Sequence, residues 1–271
     1  MTIRSIKSKI ALVTGGSRGV GKGIAIGLGE AGATVYLTGR SEKIHQSADE
    51  VTDAGGKGVA IKCDHRNDAE SSKVFDLIKN REGCLDILIN NVWSGYERMF
   101  SNRGEYIWEK PFWEQPIEYW DLMFASGVRA HYVNSHHAAK LMVSQKSGLI
   151  VNISFWSAQK FIGNAAYGVS KAATDKLTKD TAHNLKAFNV AVISLYPGLV
   201  RTERVMKAAE YLDLSNSESP QFLGRVVSKA AMDPKLIELT GTIQVAAQLA
   251  IKYNVTDIDG KKPQPLTIDD V

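Results

Sequence analysis

The chain has 271 residues, 44% hydrophobic and 23% charged, with a net charge of +4. That length supports one large core, and its basic residues are interspersed with acidic ones, which reads as a solvated surface and excludes a nucleic-acid patch. Two cysteines at no ligand spacing, Cys63 and Cys84, point to free thiols in a reduced, cytoplasmic setting; the opening MTIRSIKSKIALVTGG is too short an apolar run for a signal peptide, and no run approaches the ~18 residues of a membrane span.

In chain order, KIALVTGG predicts a buried strand, followed by a Gly-rich turn and a helix from about Val20 to Glu30. ATVYLTG is a second strand, with Ser41 placed to cap the next helix. GKGVAIKCD is a third, then a helix from about Asn67 to Lys79. LDILINN is a fourth, and a long helical segment runs from about Ile117 to Val143. GLIVNIS is a fifth, with a helix from about Ala165 to Ala187 after it. NVAVISLYPG is a sixth, and LTGTIQVA a seventh, preceded by a helix near Pro220–Ala231. Strands rich in Val, Ile and Leu without polar alternation are buried on both faces. Alternation of strand and helix predicts an α/β fold, a doubly wound parallel sheet of about seven strands with helices on both faces. No linker or repeat divides it, so residues 1–271 read as one domain. Ligands of such sheets bind at the carboxyl ends of the strands.

Two segments at that edge stand out. Residues 92–120 carry four of the five tryptophans and read as an aromatic insert, serving as a small core, a subunit contact or a substrate wall. Residues 199–219 read as a more polar substrate loop. The adjacent His136 and His137 point to different sides of a helix, so no metal site is expected.

The stretch TGGSRGVG, Thr14 to Gly21, joins the first strand to the first helix. Glycine permits a tight turn and close backbone approach, and the helix start favours a pyrophosphate. Thr14, Gly15, Ser17, Arg18, Gly19, Val20 and Gly21 are therefore expected to bind a nucleotide cofactor. Two Tyr-x3-Lys pairs occur, Tyr106/Lys110 and Tyr167/Lys171. The first lies in the aromatic insert ahead of Pro111, which opposes helix. The second opens the helix after the fifth strand, where residues four apart share a face toward the crevice.

The turn, the strand order and YGVSK together resemble the short-chain dehydrogenase/reductase family, from about residue 8 to 245. The resemblance implies a Rossmann fold holding NAD(P). Where NAD-binding sheets place an acid after the second strand, this chain reads LTGRS, with Arg40 in its place and Arg18 nearby. Guanidinium groups suit a phosphate, so NADP(H) is expected. The family pattern further implies cofactor contacts from Asp64, from Asn90 and Asn91, and from Pro197, Gly198, Val200 and Thr202 of YPGLVRTE. It makes Tyr167 the proton donor and Lys171 the cation that lowers its pKa and holds the ribose. Alignment puts Phe155 at the family's usual serine, leaving Ser154 as the first candidate and Ser157 as the second. It puts Gly127 where the family has a water-holding asparagine. SGVRAHY, the Phe155 region and VTDIDGKKP resemble one subgroup, similar to NADPH-dependent reductases of steroids and xenobiotic carbonyls, whose membrane-associated C-terminal extension is not expected past Val271. The implied activity is NADPH-dependent reduction of a bulky, apolar ketone, aldehyde or quinone. The alternative is an NAD(P)-binding regulatory or scaffold protein with little catalysis. By the same analogy the chain forms a homodimer or homotetramer.

Overall fold

A computed structural model describes residues 6–271; the first five residues of the opening segment, read above for a signal peptide, lie outside the described residues. The strands are β1 (Ile10–Thr14), β2 (Thr34–Gly39), β3 (Lys57–Lys62), β4 (Ile87–Asn90), β5 (Gly148–Ile153), β6 (Val190–Tyr196) and β7 (Ile243–Val245). They form one sheet in the order β3-β2-β1-β4-β5-β6-β7, and every neighbouring pair is parallel. The order reverses direction between β1 and β4, which opens a crevice at the carboxyl end of the sheet.

Side-chain alternation along each strand feeds two cores. Ala11, Val13, Val35, Leu37, Ile89 and Val151 pack under α1 (Gly19–Glu30) and α8 (Pro220–Ala230), through Ile24, Leu28, Phe222 and Val226. Leu12, Tyr36, Leu88, Ile150 and Val192 pack on the other face, under α3 (Asp68–Glu82), α5 (Ala130–Gln145) and α6 (Ala165–Leu185), through Phe75, Ile78, Met142 and Leu185. β1, β4 and β6 are buried at every residue, whereas the edge strand β3 is half exposed. The doubly wound sheet expected from the apolar runs is therefore the observed one.

Helix starts follow capping chemistry. Asn67 caps α3 by accepting from the Ala69 and Glu70 N–H groups, and the Ser219 side chain caps α8 ahead of Pro220. Ser41 does not cap α2 (Lys43–Asp53): Glu42 holds that position without a side-chain bond, and Ser41 contributes only its carbonyl, to Ile44 N–H at 3.1 Å. The long helix expected over 117–143 is interrupted. α4 (Glu118–Met123) passes into a π-helical stretch, Phe124–Arg129, before α5. The Ser126 hydroxyl bonds back to the Leu122 carbonyl at 2.6 Å inside it. Such bulges often re-aim side chains at functional sites. Residues 199–219 carry a short α7 (Glu203–Lys207), and α9 (Ala246–Tyr253) follows β7 directly.

Candidate active site

The turn after β1 adopts the geometry its glycines allow. Gly15 and Gly19 have φ of +70° and +56°. A Cβ on Gly21 would lie 2.4 Å from the Gly15 carbonyl oxygen and 2.3 Å from Asn91 Nδ2, so any side chain there forces the turn to shift. Asn91 locks the turn by donating from Nδ2 to the carbonyls of Thr14 at 2.9 Å and Gly15 at 3.1 Å. The Gly19 N–H at the start of α1 donates to a carboxylate oxygen of Glu203 at 3.0 Å. An anionic oxygen thus already sits on this helix terminus, the place where a phosphate is stabilised.

The turn opens a cleft of about 800 Å³. Gly15, Ser17, Arg18, Gly19, Val20, Gly21, Arg40, Asp64, Asn91 and Thr202 line it, as expected from sequence. Lys43 and Arg66 line it as well, so the end beyond β2 is ringed by cations. Glu42, the first acid after β2, is turned away onto Lys62 at 2.6 Å. Asp64 is held by Arg66 through three side-chain contacts, the shortest at 2.5 Å, and this hydrogen bonding draws its pKa below the usual carboxylate range. Arg18 pairs with Glu97 at 2.5 Å.

Several expected contacts lie elsewhere. Adjacent strand residues face opposite sides, so Asn90 cannot share the cleft with Asn91. Its amide is fully buried against Ser135 Oγ at 2.9 Å and Asn152 Oδ1 at 2.8 Å, as scaffold between β4, β5 and α5. Thr14 is also sealed in, with its hydroxyl donating to the Ile89 carbonyl and accepting from the Asn91 and Val92 N–H groups. Pro197, Gly198 and Val200 do not line the cleft. The Gly198 N–H is taken by Glu218, a carboxylate that is 1% exposed and pushed up to about 7 by burial.

Tyr167 and Lys171 sit on the first two turns of α6. Asn164 caps that helix and fixes the Tyr167 backbone N–H at 2.9 Å. Both side chains are buried, and Tyr167 is the floor of a small aromatic core made by Ile107, Trp108, Tyr119 and Met123, with Trp93, Met99 and Phe155 around it. The aromatic insert therefore does have its own core, and that core is built on Tyr167. Trp93 meets the Tyr167 ring edge-on at 5.4 Å, and the Tyr96 hydroxyl donates to the Tyr167 hydroxyl at 3.2 Å. Trp93 and Tyr96 in turn line the cleft, so Tyr167 adjoins it through them. The other pair, Tyr106 and Lys110, faces Glu109 and Glu105 at the surface.

Lys171 Nζ donates to the Ile153 carbonyl at 3.1 Å and lies 5.4 Å from the Trp93 ring centre. Burial lowers its ammonium to about 8, with Asp175 acting in the other direction. Tyr167 is not lowered as the sequence suggested. Burial pushes it well above the usual phenol value and Tyr96 adds to the rise, while Ser157 beside it acts the other way. The physical reason is the burial of the phenol itself, while the Lys171 ammonium is turned onto the Ile153 carbonyl.

The two serines separate clearly. Ser154 Oγ points into α6 and donates to the Lys171 carbonyl at 3.3 Å. Ser157 is 5% exposed, close enough to Tyr167 to influence its ionisation, and its Oγ otherwise has no partner. Phe155 joins the Tyr167 core, but Trp156 turns to Tyr196 at 5.1 Å. At Gly127 a Cβ would lie 2.7 Å from Trp93 Cδ1, so the indole occupies the room of a residue-127 side chain. His131 sets this strand end: its Nε2 donates to the Val92 carbonyl at 3.0 Å, and burial takes its pKa down to about 3, which keeps it neutral.

Glu203, Glu97, Lys43 and Arg66 were not singled out from sequence. Glu203 reaches Gly19 across 184 residues, and no spacing signals such a contact.

Comparison with known proteins places these features. The family model described as short chain dehydrogenase matches residues 9–212. Dehydrogenase/reductase SDR family member 1 of Mus musculus is 37% identical over 274 residues, covering 96% of this chain and 86% of that protein. A short-chain type dehydrogenase/reductase from Mycobacterium marinum superposes with a TM-score of 0.75 at 26% identity, over 89% of this chain and 94% of that one. A metagenomic short-chain oxidoreductase crystallised in complex with NADP does so at 0.72 and 26% identity, over 89% and 97%.

Proposed function

The chain belongs to the short-chain dehydrogenase family, and from that premise we propose that it is an NADPH-dependent carbonyl reductase acting on a bulky, apolar ketone, aldehyde or quinone. The observation that carries the reading is the joining of two sites at one sheet edge: an anion-accepting helix terminus opens the cleft, and a tyrosine–lysine pair adjoins it through Trp93 and Tyr96.

The residues present fit a phosphorylated dinucleotide. Gly15, Gly19 and Gly21 bring backbone close to a ligand, and the Gly19 N–H already holds an anionic oxygen. Arg40, Lys43 and Arg66 ring the end where an NAD-selective sheet would place an acid, which favours a 2′-phosphate. The NADP-bound relative of the same fold supports the same choice. When bound, the cofactor supplies hydride from its nicotinamide.

The chain's residues do the remaining work. Tyr167, held protonated by burial, gives its proton to the substrate oxygen as the carbonyl is reduced. Ser157 donates to the same oxygen and orients it, the role the sequence had assigned first to Ser154. Lys171, with its ammonium lowered to about 8, supplies a neighbouring cation at neutral pH. The insert aromatics exclude water and present apolar surface, so shape discrimination is weak and specificity broad. The exposed faces of α5 and α6 carry Tyr132 and Val169, in keeping with a homodimer or homotetramer.

The test is NADPH oxidation against a panel of ketones, aldehydes and quinones, with Tyr167→Phe alongside. Wild-type turnover that falls by about 10²-fold or more in the variant supports the mechanism. Equal turnover by both proteins refutes it, and NADPH binding without turnover of any substrate returns the scaffold reading.

A further inference from the structure

The Tyr167 proton has to be replaced after each turnover, and the described residues bury the phenol. Tyr167 is 5% exposed and Lys171 is 7% exposed. The ammonium of Lys171 gives one of its three N–H bonds to the Ile153 carbonyl and faces the Trp93 indole. On the π-helical side, residue 127 has no side chain, and the indole fills the room where one would stand. A buried phenol resists remaining as phenolate, so its reprotonation has to be prompt.

The Tyr96 hydroxyl lies between Tyr167 and the cleft, partly buried, and burial raises its pKa while the bond to Tyr167 acts the other way. Tyr96 donates to the Tyr167 hydroxyl at 3.2 Å, lines the cleft, and is 39% exposed. Its position is fixed from two sides. The Arg204 guanidinium donates to the Tyr96 carbonyl and sits 6.0 Å from its ring centre, and Trp93 packs edge-on at 4.8 Å.

Resting on the reductase reading above, we propose that Tyr96 is the proton-relay residue that recharges Tyr167. After Tyr167 has given its proton to the substrate oxygen, the Tyr96 O–H bond breaks and its proton passes to the Tyr167 oxygen. Tyr96 then takes a proton from hydronium or a buffer acid in the cleft, so one solvent proton is consumed per carbonyl reduced. Tyr96 acts through Tyr167 and positions it. Trp93 and Gly127 are the complementary pair that seals the opposite side.

The experiment compares wild type, Tyr96→Phe and Tyr167→Phe in steady-state carbonyl reduction, across pH and across imidazole concentration at fixed pH. Phenylalanine keeps the ring packing and removes only the hydroxyl. The expected result for Tyr96→Phe is a kcat lower by about tenfold or more, within the span of acid–base contributions. Its KM for NADPH stays within about twofold, and its kcat rises with imidazole as the external acid substitutes for the lost hydroxyl, a dependence that wild type lacks. A change of packing alone gives no such rescue. Wild-type turnover with an unimpaired, imidazole-independent Tyr96→Phe overturns the relay and leaves the reductase reading standing. Absence of turnover by wild type overturns both.

Discussion

Gly21→Ala separates what the turn contributes to folding from what it contributes to binding. The new Cβ would lie 2.4 Å from the Gly15 carbonyl oxygen, so that oxygen has to retreat by about 1 Å to reach ordinary contact. Its retreat breaks or stretches the two bonds from Asn91 Nδ2 to Thr14 and Gly15, a loss of about 1 kcal/mol each. Alanine returns about 1 kcal/mol of helix propensity inside α1. The net destabilisation is therefore about 1 kcal/mol, a fall of a few degrees in Tm for a chain this size. Binding suffers more, because the N–H groups at the start of α1 move off a charged partner, and one such bond is worth about 1.5–3 kcal/mol. The expected outcome is an NADPH Kd raised by about 10- to 100-fold, read by quenching of tryptophan fluorescence, with a Tm within a few degrees of wild type. An unchanged Kd would refute the reasoning about the turn. A collapse of Tm would show that the clash is borne by the core and not by the binding loop.

Three further outcomes can be measured. Ser157→Ala is expected to lower kcat/KM by about 10- to 100-fold, while Ser154→Ala leaves it within a few-fold and costs about 1 kcal/mol of stability from its lost bond to the Lys171 carbonyl; the reverse pattern restores Ser154 to the site. Arg40→Ala is expected to raise the KM for NADPH by about tenfold with little effect on NADH, and equal effects on both would remove Arg40 from the 2′-phosphate site. Glu218 faces the Gly198 N–H, Asp257 and Arg201, and burial lifts its pKa from 4.5 to about 7. The fold therefore favours its protonated form: the contribution to stability is full below pH 4.5 and is lost as pH rises through 7. Glu218→Gln should flatten the Tm profile between pH 5 and 8 and raise Tm at the alkaline end; a Tm unchanged at pH 8 would count against it.

The sheet was legible because its strands are buried on both faces, which writes them as apolar runs in β1, β4, β5 and β6. The geometry of the Gly-rich turn was legible because three glycines serve one local conformation. Tyr167 and Lys171 share a turn of a helix and a place after β5, so they too were readable. What escaped was set by contacts distant in sequence. The π-helical stretch at 124–129 places Gly127 against Trp93, a residue 34 positions earlier. Asn90 was assigned to the cofactor because it precedes Asn91 in a family motif, although strand alternation already sends the two to opposite faces. Ser154 and Ser157 flank Phe155 too closely for spacing to choose between them, and only the backbone path after β5 does so. The fall in Tyr167 pKa expected from Lys171 failed because sequence gives charge but not desolvation.

The loop between β6 and α8 is gathered at its neck. Arg201 donates from its backbone to Glu218 O at 2.8 Å and from its side chain to Ser217 O at 2.8 Å, and pairs with Asp257 at 2.9 Å. Asp257 also accepts from the Ser219 N–H at 2.7 Å, and it belongs to the segment after α9. The loop is thus sewn at both hems, and α7 between them is tied to the cleft through Glu203 on Gly19 and Arg204 on Tyr96. Its ends contribute almost no chain entropy to opening, so any movement of α7 has to break its bonds to Gly19 and Tyr96. Asp257, although on another segment, holds the stitch through Arg201 and Ser219, so a change there would free both ends of the loop at once.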